Sequence, residues 1–145
     1  MNKGSNVSKI RNIIFIILIG WVLIANTYNY VMEGEQCSRI EMAKQQLKSV
    51  ETFTGYNSSA IQVRKSRHII DKPVGLYIKS CMEKKEFMSN IKKQMEKEAW
   101  DLEEENKVGY LVFKKNNYII YISFIKDGDW DVVIHKDDFF HKMSL

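Results

Sequence analysis

From Ile13 to Ala25 the chain reads Ile-Ile-Phe-Ile-Ile-Leu-Ile-Gly-Trp-Val-Leu-Ile-Ala, without a charge. A helix of that length rises only about 20 Å, short for a bilayer. Extended outward to Ile10 and Tyr30, the segment reaches about 31 Å and matches a hydrocarbon core of about 30 Å. Arg11, Asn12, Asn26 and Asn29 then lie near its ends, and Tyr28 and Tyr30 fall where interfacial aromatics belong. Beyond it the period changes. Ile40, Ala43, Leu47 and Val50 recur at three- and four-residue steps, which predicts an amphipathic helix over 33–51 that can continue from the apolar segment. Residues 52–59 have turn composition, and 61–70 alternate weakly with polar residues on both faces, as an edge strand does. After Asp71-Lys72-Pro73, the residues Val74, Leu76 and Ile78 alternate with Gly75, Tyr77 and Lys79, a half-buried strand.

Ser80 followed by Glu83 has the spacing of a capping box, so a helix is expected to begin there. Its apolar stripe runs through Phe87, Ile91, Met95, Ala99 and Leu102. Three strands follow at roughly 108–114, 117–125 and 130–135, joined by hairpin turns at Lys115-Asn116 and Asp127-Gly128. The second, rich in apolar residues on both faces, is expected to be central. The pattern predicts an α+β fold: an N-terminal transmembrane helix, then a small antiparallel sheet packed with two helices.

Length confirms that scale. Of 145 residues, about 120 follow the apolar segment, enough for one core but too few for Rossmann, TIM-barrel or kinase architectures. The formal charge of +4 is not spread evenly. Residues 1–12 carry Lys3, Lys9 and Arg11 with no acid, leaving 19 basic against 18 acidic residues after them. That asymmetry, with Glu33 and Glu35 just beyond the span, places the N-terminus in the cytoplasm. The expected organisation is a basic cytoplasmic stretch 1–9, a signal anchor 10–30 and an extracytoplasmic domain 31–145. A cleaved signal peptide is the competing reading; Ala25 is the one small residue for it, with Leu23 where a second is wanted.

The residues that could carry chemistry are few. Cys37 and Cys81 are the only cysteines and follow the anchor, so a disulfide closing a loop of about 45 residues is the economical reading, stabilising by up to about 4 kcal/mol. Two buried reduced thiols, or one redox-active thiol at a helix N-terminus, are the alternatives. His68, His135 and His141 match no zinc spacing; solvated surface side chains are the plain reading and sensing of external pH the sharper one. Asp127-Gly-Asp129-Trp-Asp131 superficially resembles a calcium loop, but its glycine is misplaced and no glutamate closes it, which favours a solvated hairpin. Arg64, Lys65, Arg67 and His68 read as edge protection, since neither the near-neutral body nor any motif suits nucleic acid. Trp100, Trp130, Phe139 and Phe140 divide between core and an apolar patch for a partner. No catalytic, cofactor-binding or metal-binding motif is found, and no cofactor is expected.

A short basic N-terminus, one span at Ile10–Tyr30 and an exported domain of this size resemble the small companions of membrane-anchored transcriptional regulators in Gram-negative bacteria, the ToxS, PsaF and MyfF type. The resemblance covers the layout of the whole chain and rests on no motif. It implies a non-enzymatic, single-pass inner-membrane protein with a periplasmic domain. That domain would bind and stabilise or regulate another inner-membrane protein, a regulator of fimbrial or other virulence genes, with Cys37–Cys81 structural. The alternatives are a periplasmic immunity or inhibitor protein and a component of envelope secretion or pilus assembly.

Overall fold

A computed structural model describes residues 3–65, 72–138 and 142, with side chains from Arg11 onward apart from that of Asn29. Contacts divide the chain into two compact units, Met1–Glu35 and Gln36–Leu145. In the first, the described backbone is helical and belongs to α1 (Lys3–Lys48). Every large apolar side chain from Ile13 to Ile24 is exposed, by 45% at the least. The helix is long and apolar enough to cross a membrane, with a window of mean hydropathy 1.8 and none of it buried.

The second unit is α+β. Its part of α1 buries Arg39, Ala43 and Leu47 on one stripe and ends at Lys48, three residues short of the predicted boundary. A 3₁₀ turn, Glu51–Phe53, follows. Then come β1 (Asn57–Ser58), β2 (Gln62–Val63), β3 (Val74–Lys79), α2 (Lys84–Lys97), β4 (Asp101–Asn106), β5 (Tyr110–Lys115), β6 (Tyr118–Lys126) and β7 (Asp129–Lys136). The strands form one sheet in the order β1-β3-β7-β6-β5-β4, with β2 also on β3, and every pairing is antiparallel. Strands β4 to β7 run as a meander. The segment β3-α2-β4 carries the chain from beside β7 to the far edge.

Period-2 alternation sets the faces. Val74, Leu76 and Ile78 on β3, Leu111 and Phe113 on β5, Ile120 and Ile122 on β6, and Trp130, Val132 and Ile134 on β7 point to one side. There they join Phe87, Met88, Ile91 and Met95 of α2 and Ala43 and Leu47 of α1 in a single buried cluster. Phe87 and Trp130, both fully buried, stack with ring centroids 4.2 Å apart. The central place of β6, between β5 and β7, is as its two-faced apolar pattern predicts. Both hairpins form as well. Asp127 (φ 49) and Gly128 (φ 82) are both left-handed, as a two-residue Asp-Gly turn requires, and Asn116 (φ 53) supplies the bend between β5 and β6.

Four expectations are corrected. The capping box does not form: α2 starts at Lys84, with Glu83 in extended conformation before it and no side-chain cap. Ser80 is held elsewhere, its N–H donating to Gly128 O at 2.9 Å and its hydroxyl accepting from Met82 N–H at 3.1 Å. Helix α2 also stops before its expected end, because Ala99 (φ 58) turns left-handed. Ala99 N–H then donates to Glu96 O and Trp100 N–H to Met95 O, a Schellman ending that buries Trp100 against the core. Leu102 consequently lies not on a helix but on β4, an acidic strand, Asp-Leu-Glu-Glu-Glu-Asn, that low β propensity hides. Finally, the predicted edge strand over 61–70 is paired only at Gln62–Val63, while Asn57–Ser58, in the expected turn, pairs with β3; residues 66–71 lie outside the described residues.

Candidate functional site

Cys37 and Cys81 are both free and exposed, so the expected disulfide is not present. The helix explains one half of this. Cys37 stands about 120° around α1 from the centre of the stripe marked by Arg39, Ala43 and Leu47, which turns its thiol outward. Cys81 sits just past β3, between buried Ser80 and the start of α2.

The aromatic patch is corrected too. Trp100 and Trp130 are core residues, 3% and 0% exposed, and offer no surface to a partner. Trp130 is wedged between Phe87 and Phe124, and Lys115 Nζ lies 5.8 Å over the Trp100 ring. Phe139 and Phe140 lie outside the described residues, as do His68 and His141. His135 is described, half-buried on β7, with its ring edge-on to Tyr121 at 5.6 Å. Asp127 to Asp131 form the β6–β7 hairpin and the start of β7. Among the described residues no group of three or more His, Cys, Asp or Glu side chains could hold a metal ion.

Polar and aromatic side chains collect instead on the sheet face turned away from the core. Tyr77, Asp131, Ser123 and Tyr110 follow one another in register across β3, β7, β6 and β5. Tyr110 and Tyr121 stack with centroids 6.2 Å apart. Burial pushes the Tyr110 hydroxyl above its ordinary value, and Tyr121 and Glu104 push the same way. At one end of this row Arg64 reaches back from the end of β2. Its Nη2 donates to Asp131 Oδ1 at 2.6 Å, and its guanidinium carbon lies 3.9 Å over the centre of the Tyr77 ring. Burial raises the Asp131 carboxyl above its ordinary value, outweighing the lowering by Arg64. Sequence reading assigned Arg64 to edge protection and missed this cluster, because pairing across three strands depends on register.

Two further features are structural in character. Arg39, 5% exposed, makes a two-pronged contact with Asp138, at 2.5 and 3.0 Å, tying α1 to the end of β7. The Glu98 carboxylate accepts the Glu51 N–H at 3.1 Å, the Thr52 N–H at 2.5 Å and the Thr52 hydroxyl, so the end of α2 caps the 3₁₀ turn. An open groove of about 1240 Å³ runs beside α2, lined by Lys84, Lys85, Met88 and Lys107 and bridged by the Lys92–Glu105 ion pair. Comparison with protein-family models, curated proteins and solved structures returned no match.

Proposed function

We propose that this is a non-enzymatic, membrane-anchored accessory protein of the ToxS, PsaF and MyfF type. Residues 10–30 span the inner membrane, the basic N-terminus lies in the cytoplasm, and the α+β domain stands in the periplasm with α1 and α2 as the two helices packed with its sheet. There it binds and stabilises or regulates another inner-membrane protein, a membrane-anchored regulator of fimbrial or other virulence genes. The observation that carries the reading is the segment Ile13–Ile24, whose large apolar side chains are all exposed. A row of that size is costly in water and favourable in lipid. Sharing one bilayer with its partner raises the effective concentration of each, so a modest interface suffices.

Crosslinking in intact membranes, followed by identification of the captured protein, tests the role. A membrane-anchored regulator is expected, with its steady-state level falling when this chain is deleted. Capture of a toxic enzyme or of pilus or secretion machinery would replace the reading with one of those alternatives.

A further inference from the structure

The contact between Arg64 and the sheet has the form of a ligand in a site. Gly75 of β3 is the floor: a side chain there would press on Val132 O and come within about 3.1 Å of Arg64 Nε, so its absence makes room for the guanidinium. Tyr77 supplies a flat ring on which the guanidinium stacks at 3.9 Å, and Asp131 supplies a carboxylate at 2.6 Å. Arginine suits that combination because a planar cation can stack and hydrogen-bond at once, whereas lysine is a point charge. The side chains of Arg64 and Asp131 are 16% and 29% exposed, so water does little to screen the pair.

The occupant fits imperfectly. Arg64 Nε is buried and meets no acceptor among the described residues. The strand that delivers it is short: β2 meets β3 at Gln62↔Gly75 and Val63↔Val74, and Arg64 N–H donates to Pro73 O at 2.8 Å. By contrast β3 and β7 pair over six positions, Val74 to Lys79, so the slot itself is built on the firm part of the sheet. A short strap holding one side chain in a well-made slot is replaceable by a longer segment that brings the same chemistry.

We propose that Gly75, Tyr77 and Asp131 form an arginine-reading slot, closed in cis by Arg64 and opened to an extended, arginine-bearing segment of a partner protein that displaces the end of β2 from β3. This supplies a docking chemistry for the accessory role and rests on that reading for its use in the cell. The slot can nevertheless be tested without the partner. The probe is a fluorescein-labelled peptide, Ile-Gln-Val-Arg-Lys, copied from the strap, with a control carrying glutamine for arginine. Binding is read by fluorescence anisotropy on the full chain in nanodiscs, with thermal unfolding recorded alongside.

Arg64→Gln empties the slot and is expected to bind the arginine peptide at least ten-fold more tightly than the unaltered protein, and the control peptide no better. Adding Asp131→Asn to that variant is expected to abolish the gain. Arg64→Lys, which keeps the charge but loses the stacking plane, is expected to show part of the gain and serves if Arg64→Gln fails to fold. A folded Arg64 variant that binds neither peptide, binds both equally, or binds as well without Asp131 would overturn the slot. Failure to capture a regulator in membranes would overturn the accessory role and leave the peptide result standing.

Discussion

Ala99 shows how a single backbone angle sets the end of α2. With φ at 58 it stands where glycine is usual, since a Cβ in the left-handed region crowds the following carbonyl at a cost of about 1–2 kcal/mol. Ala99→Gly removes that crowding and should raise stability by about 1 kcal/mol, less some loss from the freer unfolded chain, seen as a higher urea midpoint. Asp131 makes a different kind of statement. Its carboxyl is raised in the folded protein, because burial opposes the charge more than Arg64 favours it. The folded state therefore holds that proton more tightly than the unfolded chain does. The stability Asp131 contributes is complete below its ordinary range and is lost as pH rises through the raised value. The stability of the unaltered protein relative to Asp131→Asn should accordingly fall as pH rises above the ordinary aspartate range; a difference that stays constant with pH would contradict the assignment.

At the scale of elements, joints between α2, the 3₁₀ turn and the sheet decide which parts move together. Glu98 closes one of these by accepting from two backbone N–H groups and a hydroxyl in Glu51–Thr52. Charged hydrogen bonds of this kind are worth about 1.5–3 kcal/mol at most, and Glu98 is half-exposed. Glu98→Ala should cost about 1–2 kcal/mol and raise amide exchange at Thr52 and Phe53 before the β6–β7 core is affected. The same elements show what could be read from the chain. Phe87, Ile91 and Met95 marked α2, and the Asp127-Gly128 turn marked its hairpin, because both signals are local. Strand β4 was hidden: its edge position tolerates Glu103, Glu104 and Glu105, and only pairing with β5 makes it a strand. Trp100 was ambiguous for a related reason, since its burial follows from the left-handed turn at Ala99 rather than from helical spacing. The slot around Arg64 needed the register of β2, β3 and β7, which no local pattern encodes.

At the scale of the whole molecule, the proposed role requires that α1 carry its apolar segment through a bilayer and leave the α+β domain on the far side from the basic N-terminus. The two free, exposed thiols make this directly measurable, since Cys37 and Cys81 both follow the apolar segment and are the only cysteines. Spheroplasts with an intact inner membrane, treated briefly with a mild reductant and washed, would be exposed to a membrane-impermeant maleimide before and after lysis. A domain beyond the inner membrane has both cysteines labelled before lysis, with Cys37→Ser and Cys81→Ser each removing one label. Labelling that appears only once the inner membrane is broken would place the domain in the cytoplasm and overturn the proposed topology.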